Sequence, residues 1–304
     1  MNVLLTGASG FLGSCLYRSL RHSDHVTTLG RKIVSPDAVV CDLAAQTPDL
    51  GGYRFDYVVH AAGKAHSVPG NPAEEAEYEE VNVQGLRRLL AALEKSGALP
   101  EAFVHLSTVL VYGCPEGVGL DEATPLRAAD PYGRSKVRAE EVLCAWGDRT
   151  GVRITVLRLP LVVGRQPQGN LAALIRAIQG RRYVRIGSGS ARRSMVLADD
   201  VAGIIPAAAR AGGIYNLTDG VHPSVRELEE AIARQAGGRF IPSLSPVLAK
   251  GIALTGDGIN RLIGRRFPLD SAVLTRLTHT LTFSDDRARN QLGWQPRPVT
   301  TFFT

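Results

Sequence analysis

The chain of 304 residues is poor in cysteine, and its four (Cys15, Cys41, Cys114, Cys144) are far apart with no CxxC pair. That spacing excludes a disulfide framework and a zinc site, so no metal is expected and the thiols read as reduced, in a cytoplasmic protein. No run of about 18 apolar residues occurs, so neither a transmembrane helix nor a membrane partner is expected. The opening MNVLLTGASGFLG lacks a basic leader and a cleavage pattern. Its early glycines read as a buried strand and turn rather than a signal peptide. Internal repeats and low-complexity tracts are also missing. The net charge is +6, but the basic residues are scattered in pairs (Arg87 with Arg88, Arg181 with Arg182, Arg192 with Arg193, Arg265 with Arg266). They are neither gathered on one helix nor interleaved with aromatics, which argues against a nucleic-acid partner.

What is present is an alternation. Apolar runs at 2–6, 26–29, 57–60, 102–107 and 154–159 are separated by helical patterns at 11–21, 73–96 and 131–150. Short apolar runs alternating with amphipathic helices predict βαβ units, and so an α/β fold of the Rossmann type: a doubly wound parallel sheet covered on both faces. Beyond residue 164 the pattern changes, with helices expected at 171–179, 199–211 and 224–236. The apolar run 213–217 is expected to return to the sheet. Residues 240–280 show no clear period.

The first strand runs into Gly7-Ala8-Ser9-Gly10-Phe11-Leu12-Gly13 and then a helix. Glycines there let the chain turn sharply and let main-chain N–H groups approach a pyrophosphate, which then sits on the helix N-terminus. Placed between a strand and a helix, GxxGxxG predicts a dinucleotide site. Residues 1–165 then form the dinucleotide-binding domain, joined again by segments near 193–217. Residues 166–304 form a smaller, mostly helical substrate-binding lobe. Where an acid would hold the adenosine ribose, the sequence reads Leu29-Gly30-Arg31-Lys32. Arg31 can pair with a 2′-phosphate, which favours NADP(H) and leaves NAD(H) possible. Asp42 and Leu43 are expected beside the adenine, and Ala61, Ala62 and Gly63 beside the cofactor.

Tyr132 and Lys136 stand four residues apart on a helix that begins after Asp130-Pro131, so they share one face. A neighbouring ammonium and a positive nicotinamide are expected to lower the phenol's pKa and fit Tyr132 for proton transfer at a sugar hydroxyl while hydride moves to or from the cofactor. Thr108, at the end of an apolar strand, is expected to hold the reacting oxygen.

GxxGxxG, Asp-Leu, HxAA, Asn82 in VNVQG, ST…VYG, YxxxK and LRLPLVVG, in that order, resemble the extended short-chain dehydrogenase/reductases, the nucleotide-sugar epimerase and dehydratase family. The likeness covers roughly residues 1–210, with SDDRARNQLGW similar to the family's C-terminal helix. It implies catalysis by Thr108, Tyr132 and Lys136, support from Asn82, and cofactor contacts from the glycine loop (Gly7, Ser9, Gly10, Phe11, Leu12, Gly13) to Pro160, with Tyr132 and Lys136 among them. Thr108, Val109, Asn170, Leu171 and Arg193 would meet a nucleotide-diphosphate sugar, and a homodimer through the helices at 73–96 and 131–150 is implied. The family's dehydratases carry Asp-Glu where Val109 and Leu110 stand, and its 3,5-epimerases a Cys at Leu110. That leaves hydride chemistry at C4: a 4-keto sugar reductase, or a 4-epimerase with retained NAD. A non-catalytic NADP-binding sensor shares such a fold but typically lacks the Tyr–Lys pair.

Overall fold

A computed structural model of the chain describes residues 1–65, 71–167, 169–238, 240–263 and 270–304. Its centre is a parallel sheet of β1 (Asn2–Thr6), β2 (His25–Gly30), β3 (Ala38–Val40), β4 (Tyr57–His60), β5 (Ala102–Thr108), β6 (Arg153–Leu159) and β7 (Gly213–Asn216). The spatial order is β7-β6-β5-β4-β1-β2-β3. The chain winds outward from β1 through β3, then returns to β4 and winds the other way. The carboxyl ends of β1 and β4 therefore flank a topological switch point, where open α/β sheets bind ligands.

Successive side chains of a strand face opposite sides, and here both sides are covered. In β1, Val3 and Leu5 pack beneath α1 (Phe11–Leu20) and α6 (Ala198–Ala211). Leu4 packs on the other face with Leu86, Leu89 and Leu90 of α3 (Gly85–Lys95) and with Ala139 and Leu143 of α4 (Pro131–Thr150). Two-sided burial explains why the strands read as unbroken apolar runs. Truncating one of these leucines to alanine costs about 2–5 kcal/mol.

The helix expected at 73–96 divides into α2 (Pro72–Glu79), a π turn at Glu80–Gln84, and α3. The wider turn lets Asn82 face inward toward polar partners while the leucines of α3 face the sheet, a use of π turns common at functional sites.

Outside the sheet, Leu161–Val163 pairs with Met195–Leu197. Side chains of α5 (Gly169–Gln179) and α7 (Val225–Gln235), with Val299 and Phe303, complete a second apolar cluster around these segments. Residues 240–280 supply α8 (Pro246–Ile263) and α9 (Ser271–Thr278). The last helix, α10 (Asp286–Leu292), packs on α6, and the indole of Trp294 donates to the Thr218 carbonyl at 2.9 Å. Among the described residues, no helix is long and apolar enough to cross a membrane.

Candidate active site

Gly7, directly after β1, has φ +73°, and a Cβ there would lie 2.6 Å from the Ala62 nitrogen. A Cβ on Gly13 would lie 2.0 Å from the Gly7 carbonyl oxygen. The loop, the start of α1 and the Ala61–Ala62 segment after β4 are thus in main-chain contact, which only glycine permits. Thr6 fastens them: its Oγ1 accepts from the Ala62 N–H at 3.1 Å and meets His60 Nδ1 at 2.8 Å. The N-cap of α1 is Gly10, with no side chain to cap the first-turn N–H groups. Those amides, beside exposed Ser9 and half-buried Phe11 and Leu12, form a cradle suited to a pyrophosphate.

Arg31 and Lys32 are exposed directly past the end of β2. Asp42 Oδ1 closes its own turn by accepting from Ala44 N at 3.0 Å. Leu43 is buried, and its carbonyl accepts from Arg88 Nη1 at 3.0 Å. These two residues therefore also fix the turn to α3.

Asn82 holds the loop after β4. Its Oδ1 accepts from Lys64 N at 2.7 Å, and its Nδ2 donates to the Lys64 carbonyl at 3.1 Å and to Ser135 Oγ at 2.8 Å. One buried amide so couples this loop to the helix of Tyr132 and Lys136.

α4 begins where Asp130 accepts from Gly133 N at 2.9 Å, with Pro131 in the first turn. This start places Tyr132 beside Thr108 at the end of β5, near enough for the Thr108 hydroxyl to favour the phenolate. Thr108 in turn accepts from Leu110 N at 3.2 Å and caps the 3-10 turn Val109–Tyr112. The Tyr132 ring lies against Tyr78, centroids 5.8 Å apart. Lys136 is buried, its Nζ donating to the Leu106 carbonyl at 2.8 Å. A Cβ on Gly63 would stand 3.0 Å from Asn82 Oδ1 and 3.6 Å from Lys136 Nζ.

In the protein alone, Lys136 does not outweigh burial at the Tyr132 phenol. Burial pushes the phenol up to about 12, the neighbouring Thr108 hydroxyl opposes this, and Asp130 and Tyr78 add to it. Burial pushes the Lys136 ammonium down to about 8, against the pull of Glu140. The physical reason is that the ammonium is held on a strand carbonyl while the phenol loses water on entering the protein.

Several residues around the site went unread in the sequence. Glu140 is the third member of a four-residue spacing with Tyr132 and Lys136, and that spacing was the available signal. It accepts from Ser107 Oγ at 2.5 Å and pairs with Arg158 at 2.7 Å, both groups buried. Arg158 Nη1 donates to the Tyr112 hydroxyl at 3.0 Å, which donates to Asn216 at 2.7 Å. On the other side of Lys136, the rings of His60 and His105 stack at 5.4 Å. His60 Nε2 and both ring nitrogens of His105 have no hydrogen-bond partner among the described residues. Burial and the Lys136 charge hold His60 neutral, down to about 3, and His105 well below its usual value.

Pro160 is half-buried just past β6, and the Val109 side chain is buried. Asn170 is exposed in the first turn of α5, but the Leu171 side chain turns into the second apolar cluster, leaving only its main chain for a ligand. Arg193 donates twice to the Arg276 carbonyl, Nε at 3.1 Å and Nη2 at 2.5 Å. The structure gathers Thr108, Tyr132, Lys136, Asn82 and Gly63. Among the described residues, no hydrogen bond joins Asn170 or Arg193 to that group.

The family model for the NAD dependent epimerase/dehydratase family matches residues 3–218. The chain is 28% identical over 298 residues to the N-acetyl-alpha-D-glucosaminyl-diphospho-ditrans,octacis-undecaprenol 4-epimerase of Escherichia coli O157:H7, covering 93% of this chain and 87% of that one. It is 30% identical over 312 residues to a UDP-glucose 4-epimerase of Vibrio cholerae, covering 97% and 90%. The solved UDP-glucose 4-epimerase of Thermotoga maritima has the same fold, with a TM-score of 0.74 at 22% identity over 100% of this chain and 96% of that one. This chain belongs to the NAD-dependent epimerase/dehydratase family.

Proposed function

We propose that this chain is an NADPH-dependent reductase acting at C4 of a 4-keto sugar carried on a diphosphate. The observation that carries this reading is the single proton donor at the end of β5. Tyr132 stands beside Thr108, and the residues that follow Thr108, Val109 and Leu110, can neither give nor take a proton. Cys114, nearby in sequence, is turned onto the Tyr112 carbonyl. Chemistry at carbons beside the ketone needs a second acid or base; chemistry at C4 needs one.

The glycine cradle, Arg31, the Ala61–Gly63 loop and Lys136 are the residues that would hold a nicotinamide dinucleotide, which supplies the hydride when bound. A phenol with its pKa raised stays protonated throughout the neutral range, as a donor to a ketone oxygen must. Thr108 holds that oxygen in place, and the buried Lys136 ammonium would hold the cofactor beside it. Exposed Arg31 with no carboxylate beside it supports NADPH over NADH.

A second reading, 4-epimerisation with retained NAD, is favoured by the names of the two relatives. Those relatives also differ in the diphosphate carrier, a nucleotide in one and a polyprenol in the other. Arg193 and the N-terminus of α5 suit a diphosphate from either source. The test is to supply NADPH with a UDP-linked 4-keto sugar, and separately UDP-glucose with NAD+. The reductase consumes one NADPH per ketone lost and leaves UDP-glucose unchanged. Interconversion of UDP-glucose and UDP-galactose with no net change in the cofactor would overturn that reading.

A further inference from the structure

Helix α8 is inside out. A surface helix ordinarily buries its large apolar side chains and shows polar ones. Among its described side chains the buried positions are Ala249, Ala253 and Gly256, a stripe of small residues, with Ile259 half-buried. The opposite arc carries Val247 (79% exposed), Leu248 (61%), Ile252 (40%) and Leu254 (60%). Phe240, six residues before the helix, is 89% exposed. Of fifteen exposed large apolar side chains among the described residues, five fall within 240–254, so the exposure is concentrated rather than scattered.

Charge gathers in the same stretch. Residues 234–280 hold seven Lys or Arg (Arg234, Arg239, Lys250, Arg261, Arg265, Arg266, Arg276) against two acids, Asp257 and Asp270. That excess accounts for most of the chain's +6. Lys250 is exposed on α8, one turn from both Val247 and Leu254 and at the edge of their arc. The helix is fixed in place: Asp257 accepts from Ser271 N at 3.1 Å and Ser271 Oγ at 2.6 Å, at the start of α9. α9 ends near the Arg276 carbonyl that holds Arg193.

The geometry points to α8 as a docking surface for an anionic lipid bilayer, on which the protein meets a membrane-borne sugar diphosphate. An outward apolar arc with a lysine at its edge, in a basic stretch of sequence, suits a helix that lies in a membrane interface; binding grows with apolar area and with attraction to anionic headgroups. The lack of a spanning helix, which led to no membrane partner being expected, does not bear on a helix that lies on the surface. One tethered helix, α9, separates this arc from the proposed diphosphate arginine. The inference deepens the proposed function by choosing a lipid carrier, and so rests on that reading for the substrate alone.

The test is flotation of the full chain with phosphatidylcholine vesicles containing increasing phosphatidylglycerol, without sugar or cofactor. Binding is expected to rise with the anionic fraction. Val247→Asp with Leu248→Asp should lower partitioning roughly tenfold or more, and Lys250→Glu about fivefold, with circular dichroism and melting temperature unchanged. A chain that never floats overturns the proposal. So does a double variant that floats like the parent, which would show adsorption by charge alone. A double variant whose mass in solution falls, with the parent unbound by vesicles, would assign the arc to contacts between copies. Because the vesicles carry no substrate, failure of the C4 reading leaves this result untouched, and the reverse also holds.

Discussion

The carboxyl end of the sheet and helix α8 are built on opposite rules. Around β5 and α4, polar groups are buried and nearly all are paired: Asn82 makes three hydrogen bonds, and Glu140 meets both Ser107 and Arg158. On the described part of α8, Val247, Leu248, Ile252 and Leu254 face out and Ala249, Ala253 and Gly256 face in. The contrast teaches that each region departs from the ordinary pattern in a way packing alone does not require. Buried polar groups demand partners with fixed geometry, so the first region is rigid and sensitive to single changes. Exposed apolar groups bear little on folding, so the second should tolerate change at no cost in stability while losing whatever contacts it makes.

The comparison can be broken at its strongest point by Tyr132→Phe. Turnover should fall about a thousandfold, as expected for loss of a positioned proton donor, with NADPH affinity within about twofold. Full activity in that variant, measured as NADPH consumption, would remove the mechanism. Glu140→Ala should come next, because it leaves Arg158 buried and unpaired; about 3–5 kcal/mol of stability should be lost in chemical denaturation. The milder Glu140→Gln sharpens the point. Since Glu140 pulls the Lys136 ammonium up, its neutral replacement should let that ammonium lose its proton at lower pH. The alkaline limb of the reductase pH profile should then move down from near 8.

The buried histidines give a smaller, pH-dependent effect. His60 is held down to about 3 in the folded chain, whereas unfolded histidine binds its proton near 6.5. The unfolded state takes up more protons between those values, so stability should fall as pH drops below about 6.5, and His105→Leu should flatten that slope. The smallest effect belongs to α8. Val247→Ser should change stability by no more than about 0.5 kcal/mol, because the side chain is already exposed. A loss several times larger would show that the arc is covered within the folded molecule.

The same contrast separates what the sequence shows from what it hides. Tyr132 with Lys136 and Gly7 with Gly13 are legible because a local spacing is itself the geometry: four residues make one helix face, and glycines after a strand make one turn. The parallel sheet was readable because two-sided burial leaves unbroken apolar runs such as Val3-Leu4-Leu5. The π turn at Asn82 was hidden because its cause lies 18 residues away, at Lys64. Arg158 and Asn216 are joined to the site only by pairing of distant strands. Helix α8 escaped because its inward stripe is Ala and Gly, so the apolar period points away from the core. The level of the Tyr132 phenol in the protein alone was hidden because a spacing of four says nothing about how far burial outweighs a neighbouring charge.

The central claim is that this site delivers hydride from NADPH and does not keep its cofactor. The most direct measurement is to identify any dinucleotide released from the purified protein on denaturation, then titrate the emptied protein with NADPH and NADH. The account predicts little retained dinucleotide and NADPH binding roughly tenfold or more tighter, from the Arg31 pairing with a 2′-phosphate. One equivalent of tightly held NAD+, with no gain from the 2′-phosphate, would contradict it and establish a 4-epimerase that returns its own hydride.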